Sequence, residues 1–139
     1  MDRDTAAPPP PDEINTRLAG TLPAILGIRI VEVTLDRVVA ELPMRDDLFN
    51  GVGIAHGGTL MALADTAGAI ATVINLPPGA RTTTIESKTN FIAAARGGTL
   101  RAEATPLHRG RRTMVWQTRI FDETGRTISL TTQTQLVMR

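Results

Sequence analysis

Residues 57–75 constrain the fold most, because they form the one long segment of the chain with a helical composition. The segment is rich in alanine and carries a single charge, Asp65, which is the only formally charged residue between Asp47 and Arg81. Prolines and a glycine at 77–79 predict where the helix ends. A helix this apolar must bury its surface against other elements of the chain.

Gly68 lies in the middle of this predicted helix. A glycine inside a helix costs roughly 1 kcal/mol relative to alanine. We therefore predict that Gly68 is required for close packing against another backbone.

The rest of the folded chain reads as strands. Strands are predicted at 28–35, 38–44, 81–93, 99–107, 113–121 and 126–137. The third of these alternates, which predicts one face formed by Thr83, Ile85, Ser87, Thr89 and Phe91. Tight turns join the last four strands, so they are expected to be antiparallel neighbours. One apolar helix and an antiparallel sheet predict an α+β fold in which the sheet wraps around the helix.

The N-terminal residues 1–13 contain four consecutive prolines and predict a flexible leader, and residues 14–139 predict a single domain. A short helix is predicted over 12–22, with Asp12 as its N-cap.

The composition excludes several classes of protein. A net charge of +1 gives no reason to expect binding to nucleic acid or to a membrane surface. The absence of cysteine excludes disulfides, a thiol nucleophile and a zinc–thiolate site. No segment has the length of a membrane span and the N-terminus lacks the apolar run of a secretory signal, so a cytoplasmic location is expected.

Two candidate chemical groups share the helical segment. The sequence His56-Gly57-Gly58 opens the helix, where free backbone N–H groups and the helix dipole can bind an oxyanion. Asp65 is a carboxylate in an apolar setting, which is costly unless the group is paired, hydrated or used. Acyl-transfer chemistry needs both kinds of group.

Two motifs resemble those of the hot-dog-fold acyl-CoA thioesterases, in the branch typified by phenylacetic-acid-degradation (PaaI) proteins. They are Asn50-x-x-Gly53-x-x-His56-Gly57-Gly58 and Leu63-Ala64-Asp65-Thr66-Ala67. The resemblance covers about residues 18–137. It implies a sheet wrapped around one long central helix, a homodimer that often pairs again into a tetramer, and hydrolysis of an acyl-CoA thioester without a metal or an organic cofactor.

The resemblance also assigns roles to residues. Asp65 matches the catalytic carboxylate, and Gly57 matches the oxyanion-binding amide. Asn50 and His56 match polar residues that line the same site, and Thr84 falls where the family often has a Ser or Thr near the attacking water. The expected substrate-binding positions are Gly58, Leu60, Met61, Phe91, Arg109, Arg111 and Arg112.

The three arginines belong to the one basic cluster of the chain, residues 108–112. Arginine suits the phosphates of CoA by its geometry. The other interpretation of this cluster is a solvated hairpin turn.

The spacing of Gly57 and Asp65 favours a dimer. Eight residues on one helix separate them by roughly 12 Å, whereas catalytic groups must lie within about 3 Å of the atoms they act on. Two antiparallel helices related by a two-fold axis would bring Gly57 of one chain to Asp65 of the other. A site within one chain would need a bent or broken helix.

Three alternatives stay open at this point. Asp65 can act as a general base or as a nucleophile. The chain could instead be a hot-dog hydratase or dehydratase, although the Asp-x-x-x-x-His pattern of those enzymes is absent. It could also be a non-catalytic acyl-CoA-binding module, although such a binder would be expected to lose the carboxylate.

Overall fold

A computed structural model describes residues 6–139. Its helices are α1 (Pro11–Leu18), α2 (Leu22–Leu26) and α3 (Gly57–Val73). Its strands are β1 (Arg29–Thr34), β2 (Arg37–Pro43), β3 (Arg81–Phe91), β4 (Thr99–Arg109), β5 (Thr113–Phe121) and β6 (Thr127–Met138). A single 3-10 turn, Asp46–Leu48, lies between β2 and α3.

The six strands form one antiparallel sheet in the order β1-β2-β4-β5-β6-β3. Helix α3 packs against one face of this sheet and contacts five of the strands, β2 to β6. This arrangement confirms the predicted α+β hot-dog fold. Strand β3 lies at one edge and pairs with β6, whereas β4 lies between β2 and β5, so the prediction that β3 and β4 are neighbours is wrong. Residues 92–98 form a crossover connection between the two strands, not a tight hairpin turn.

The core lies between α3 and the sheet. Alanines at 64, 67 and 71 are fully buried, and their small side chains allow the helix to approach the strands closely. Strands β5 and β6 alternate buried and half-buried residues, as expected for a sheet with one covered face. Trp116 is the largest fully buried side chain.

The predicted helix over 12–22 is wrong in its bounds and in its cap. Helix α1 begins at Pro11, with Pro10 at the N-cap, and Asp12 lies in its first turn. Proline is favoured at a helix start because its missing N–H would be unpaired there. The helix ends at Leu18 because Gly20 adopts a left-handed conformation, with φ of 77°. Thus α1 includes the last residues of the predicted leader, of which residues 1–5 lie outside the described chain.

The third predicted strand does not alternate throughout. A bulge between Thr84 and Glu86 changes the register, so Thr84 pairs with Gln135 and Ser87 pairs with Gln133. Because both glutamines are buried on the helix-facing side, Thr84 shares that side with Ser87. The predicted face that joined Thr83 to Ser87 is therefore wrong.

Gly68 packs closely, but its neighbour is not a backbone. A Cβ at this position would lie 2.3 Å from Oε1 of Gln133, so the glutamine side chain fills the space. Sequence reasoning missed this partner because Gln133 is 65 residues away along the chain, from position 68 to position 133.

Candidate active site

His56 caps α3. Its Nδ1 accepts a hydrogen bond from the backbone N–H of Gly58 at 2.8 Å. An imidazole nitrogen that accepts carries no proton, so the proton of neutral His56 lies on Nε2. A Cβ on Gly58 would lie 3.0 Å from Nδ1, so this glycine gives the ring the space to fold over the helix start. His56 therefore presents an N–H donor near the first turn of α3.

The backbone N–H of Gly57 is free to bind a ligand. No acceptor for it exists among residues 6–139. The positive end of the α3 dipole lies at the same place. The ring of Phe91 packs over Gly57, since a Cβ there would lie 3.1 Å from Cζ. The arrangement places an amide donor with no acceptor in residues 6–139 beside an aromatic wall.

Four of the predicted site residues converge on one cavity of about 410 Å³, namely Asn50, Gly57, Leu60 and Phe91. The rest of its lining is apolar and comes from Ile54, Ala55, Ile92, Ala93, Ala94 and Ala95. The N–H of Ala55 donates to the carbonyl of Ala95 at 2.8 Å, so the loop that carries Asn50 is fixed beside the segment that follows β3. Thr59 of α3 donates to the carbonyl of Leu48 at 3.0 Å and holds the same loop against the helix. A cavity with these walls suits an apolar group beside a polarised carbonyl.

The carboxamide oxygen of Asn50 is hydrogen-bonded, whereas its amide nitrogen has no hydrogen-bond partner in residues 6–139. Its Oδ1 accepts hydrogen bonds from the N–H groups of Val52 and Ile54, at 3.0 and 3.2 Å. Within the described chain its Nδ2 group makes no hydrogen bond. Asn50 can therefore donate toward the cavity while its oxygen holds the loop.

Asp65 lies apart from this cavity. Its carboxylate is exposed on α3 and makes no hydrogen bond or ion pair with any described residue. Burial by the surrounding atoms still raises the pKa of Asp65 above its ordinary value. Helix α3 runs unbroken from Gly57 to Val73, so Asp65 remains roughly 12 Å along the axis from Gly57.

Thr84 faces the helix side from the edge strand. Its Oγ1 accepts a hydrogen bond from Nε2 of Gln135 at 2.9 Å, and Thr82 donates to Oε1 of the same glutamine at 3.1 Å. Sequence reasoning missed Gln135 as a partner. The available signal was the glutamine pair at inward-facing positions of the last strand, 133 and 135.

The basic cluster divides into two parts. Arg109 forms an ion pair with Asp36 at 2.7 Å and donates to the carbonyl of Leu35 at 2.9 Å, so it ties β4 to the β1–β2 turn. Arg111 and Arg112 make no ion pair with residues 6–139. Both line a cavity of about 700 Å³ with His108, Gly110, Thr113, Leu136, Val137 and Arg139. This cavity lies near the C-terminal end of α3, because the neighbouring Arg109 donates to Oδ1 of Asn75, just after that helix, at 3.4 Å. Its lining residues Leu136 and Val137 pair with the start of β3, whereas Phe91 at the end of β3 contacts Gly57, so the cavity is far from Gly57 of the same chain.

The described part of the chain has neither a metal-binding cluster nor a membrane-spanning helix. In residues 6–139, no group of three or more His, Asp or Glu side chains is arranged to hold a metal ion. The described helices are all too short or too polar to cross a membrane.

Comparison with known proteins identifies the family. The sequence model described as Thioesterase superfamily matches residues 52–129. A 1,4-dihydroxy-2-naphthoyl-CoA hydrolase of Escherichia coli is 31% identical over 115 residues, which are 83% of this chain and 85% of that protein.

Solved structures agree with this match. A thioesterase from Haemophilus influenzae superposes with a TM-score of 0.89 at 28% identity, covering 93% of this chain and 90% of the other. The PaaI protein of the phenylacetic acid degradation operon of Escherichia coli gives a TM-score of 0.83 at 25% identity, with 91% of each chain covered. The chain therefore belongs to the thioesterase superfamily and is a thioester hydrolase with the hot-dog fold of the PaaI-like type.

Proposed function

We propose that this protein hydrolyses acyl-CoA thioesters at two identical sites, each built from Gly57 of one chain and Asp65 of a second copy. One observation carries the proposal. Among residues 6–139 the N–H of Gly57 has no acceptor and the carboxylate of Asp65 has no partner, and the two lie about 12 Å apart along one unbroken helix, so neither can complete a site with the other in one chain.

The exposed surface around Asp65 supports a homodimer. Large apolar side chains are exposed on α3 and on β3, at Met61 (41%), Ile85 (56%) and Phe91 (55%). One side of β3 is also unpaired, because this strand ends the sheet. Exposed edges and apolar patches of this kind favour association. An antiparallel pairing of two β3 strands would place the two α3 helices side by side in opposite directions. Pairing of these dimers into tetramers is a further expectation, which sedimentation would test.

The proposed site binds the thioester carbonyl at Gly57. The free N–H of Gly57 stabilises negative charge on the carbonyl oxygen as it develops, with help from the helix dipole. The Nε2–H of His56 and the Nδ2–H of Asn50 are further donors beside it. His56 therefore acts by donation and positioning, because its Nδ1 is engaged by Gly58 and cannot take a proton without losing the cap.

Asp65 of the other chain promotes attack on the carbonyl carbon in one of two ways. As a general base it removes a proton from water while the water oxygen bonds to the carbonyl carbon, and the carbon–sulfur bond then breaks to release CoA. As a nucleophile it bonds to that carbon directly, the carbon–sulfur bond breaks and the CoA thiolate leaves; water then hydrolyses the resulting anhydride, which releases the acid and restores Asp65. The raised pKa of Asp65 makes it a stronger base in its ionised form. Thr84, held by Gln135, lies on the same side of the sheet and is proposed to orient the water.

The substrate's two ends fit different surfaces. The apolar cavity beside Phe91 suits an aryl-acetyl or a short-to-medium alkyl group. Arg111 and Arg112 are proposed to bind CoA phosphates, since their guanidinium groups lack carboxylate partners in residues 6–139. In the antiparallel dimer, the C-terminal end of one α3 lies toward the Gly57 end of the other. Arg109 is left to a structural role by its ion pair with Asp36.

The test measures thiol release from phenylacetyl-, benzoyl- and straight-chain acyl-CoAs by wild type and Asp65→Ala. We expect a loss of at least about a hundredfold in kcat for the variant, with the dimer intact. Asp12→Ala is the matched control, because it removes an exposed carboxylate far from the cavity. Enoyl-CoA hydration measured in parallel would reveal hydratase activity instead. Full activity in Asp65→Ala would refute the assignment.

A further inference from the structure

Gln133 is a buried amide without a partner. It lies in the middle of β6 with its side chain on the helix-facing side, and it is 0% exposed. Neither Nε2 nor Oε1 forms a hydrogen bond with residues 6–139. An unpaired buried polar group costs about 1–3 kcal/mol. An apolar residue of similar size would be more stable at this position.

The carboxamide of Gln133 lies directly against α3 at Gly68. An ideal Cβ on Gly68 would lie 2.3 Å from Oε1, 2.4 Å from Cδ and 2.8 Å from Nε2. Real Cβ atoms do not approach other atoms so closely, so the carboxamide occupies the space of the missing side chain. Glycine in a helix interior is itself unfavourable by about 1 kcal/mol. Two locally unfavourable residues thus meet at one contact.

This contact lies one turn from the proposed catalytic carboxylate. Gly68 follows Asp65 by three residues, or roughly 4.5 Å along the helix axis. On the same strand as Gln133, Gln135 holds Thr84 through its hydrogen bond of 2.9 Å. Strand β6 therefore contacts both the turn that carries Asp65 and the threonine proposed to orient the water.

We propose that Gln133 is a positioning residue, a spacer that fills the gap at Gly68 and sets the height above the sheet of the α3 turn that carries Asp65. The proposal rests on the proposed role of Asp65. Residues that lower the stability of a protein are retained where they serve its function. Gln133 and Gly68 each lower stability, so the contact between them is expected to serve function. A displacement of about 1 Å in a catalytic group can reduce the rate about a hundredfold.

A double-mutant cycle in the full chain tests the spacer. In Gln133→Ala the spacer is removed and the helix turn can settle toward β6. In Gly68→Ala the new methyl collides with the carboxamide and pushes the turn away. We expect each single variant to lower kcat about tenfold to a hundredfold, with KM within about twofold. In the double variant the methyl at 68 fills part of the vacated space, and kcat recovers above both single variants.

The controls separate positioning from stability. Gln117→Met changes a glutamine on β5 that alternates with the buried, helix-facing residues, and it should leave kcat unchanged. Each kcat is calculated per mole of folded protein, so that a loss of stability does not count as a loss of activity. Crystal structures of the variants show whether Asp65 has moved relative to Thr84. If Gln133→Ala does not fold, Gly68→Ala and the double variant still give the comparison.

The spacer role is overturned if the folded single variants keep the wild-type kcat and the wild-type position of Asp65, whatever their stability. Failure of the proposed function has a different signature, namely Asp65→Ala with wild-type activity. In that case the displacement of α3 in the crystal structures still decides whether Gln133 sets its height.

Discussion

Gly58→Ala should separate the proposed catalytic contribution of His56 from the contribution of its cap to the stability of the protein. The backbone of Gly58 is compatible with alanine because its φ is not positive. The new Cβ would lie 3.0 Å from Nδ1 and 3.3 Å from Cε1 of His56, so the ring must swing away. The hydrogen bond of 2.8 Å from the N–H of Gly58 to Nδ1 is then lost. Without it the ring is no longer held in one orientation, so its Nε2–H donor is no longer held in one position.

The effects of Gly58→Ala on stability oppose one another. Loss of an N-cap costs about 0.5–2 kcal/mol. Replacing glycine by alanine in a helix gains up to about 1 kcal/mol. The free energy of unfolding should therefore fall by no more than about 2 kcal/mol. The donor proposed to lie beside the thioester carbonyl is displaced, and one such donor is typically worth about 10² to 10³ in kcat. Because the His56 donor is displaced and not removed, we expect kcat to fall by at least about tenfold.

Urea unfolding and thiol-release kinetics on one preparation would check this prediction. His56→Asn is the matched variant, because asparagine is a good N-cap but has no imidazole. It should keep the stability and lose kcat to at least the same extent as Gly58→Ala. Wild-type kcat in Gly58→Ala would refute the role of His56, and a loss of more than about 3 kcal/mol would refute the balance of cap and helix propensity.

Three further predictions concern the carboxylate, the arginines and the edge strand. Because the folded pKa of Asp65 is raised above its unfolded value, ionised Asp65 destabilises the fold at neutral pH. Asp65→Asn should therefore raise the urea midpoint of unfolding at pH 7, and this gain should vanish at a pH below the ordinary pKa range of a carboxyl group. An equal gain in the urea midpoint at all pH values would contradict this prediction. Arg111→Gln with Arg112→Gln should raise KM about tenfold for acyl-CoA but not for the N-acetylcysteamine thioester of the same acid, whereas equal effects on both would exclude phosphate binding. Ile85→Asp places a charge on the exposed edge strand and should give inactive monomers by sedimentation, so an active monomer would refute the shared site.

The sequence was sufficient to predict those features of the fold that depend on local residue patterns. The start of α3 at Gly57 followed from the glycine pair and the apolar run, and the structure confirms it. Turn residues predicted the bounds of the strands to within a few residues, but they wrongly made β3 a neighbour of β4, whereas β3 pairs with β6. The predicted site residues Asn50, Gly57, Leu60 and Phe91 do converge on one cavity, although Phe91 lies 34 positions after Gly57.

Contacts between distant segments could not be read from these patterns. The bulge in β3 moved Thr84 to the helix side, and nothing in the local alternation of threonines marks that bulge. Arg109 resembles its neighbours in the basic cluster, yet its ion pair with Asp36 depends on how β4 meets the β1–β2 turn. The match of Gln133 to Gly68 likewise depends on the height of the helix above the sheet.

The central claim, that Gly57 and Asp65 act together from different chains, is tested most directly by mixing two inactive variants. Asp65→Ala removes the carboxylate. Gly57→Pro removes the N–H donor at the first helical position, where proline is tolerated and where the extended His56 (ψ of 137°) suits a following proline. The ring of Phe91 is 55% exposed and can yield to the proline ring.

The two variants are unfolded, mixed in equal amounts and refolded, and thiol release is measured. Random pairing makes half of the dimers mixed, and each mixed dimer has one site with both groups intact. The account predicts recovery of about a quarter of the wild-type activity from two preparations that are each inactive. Mixed dimers with no activity above that of the separate variants would show that Gly57 and Asp65 act within one chain, or not together, and would contradict the account.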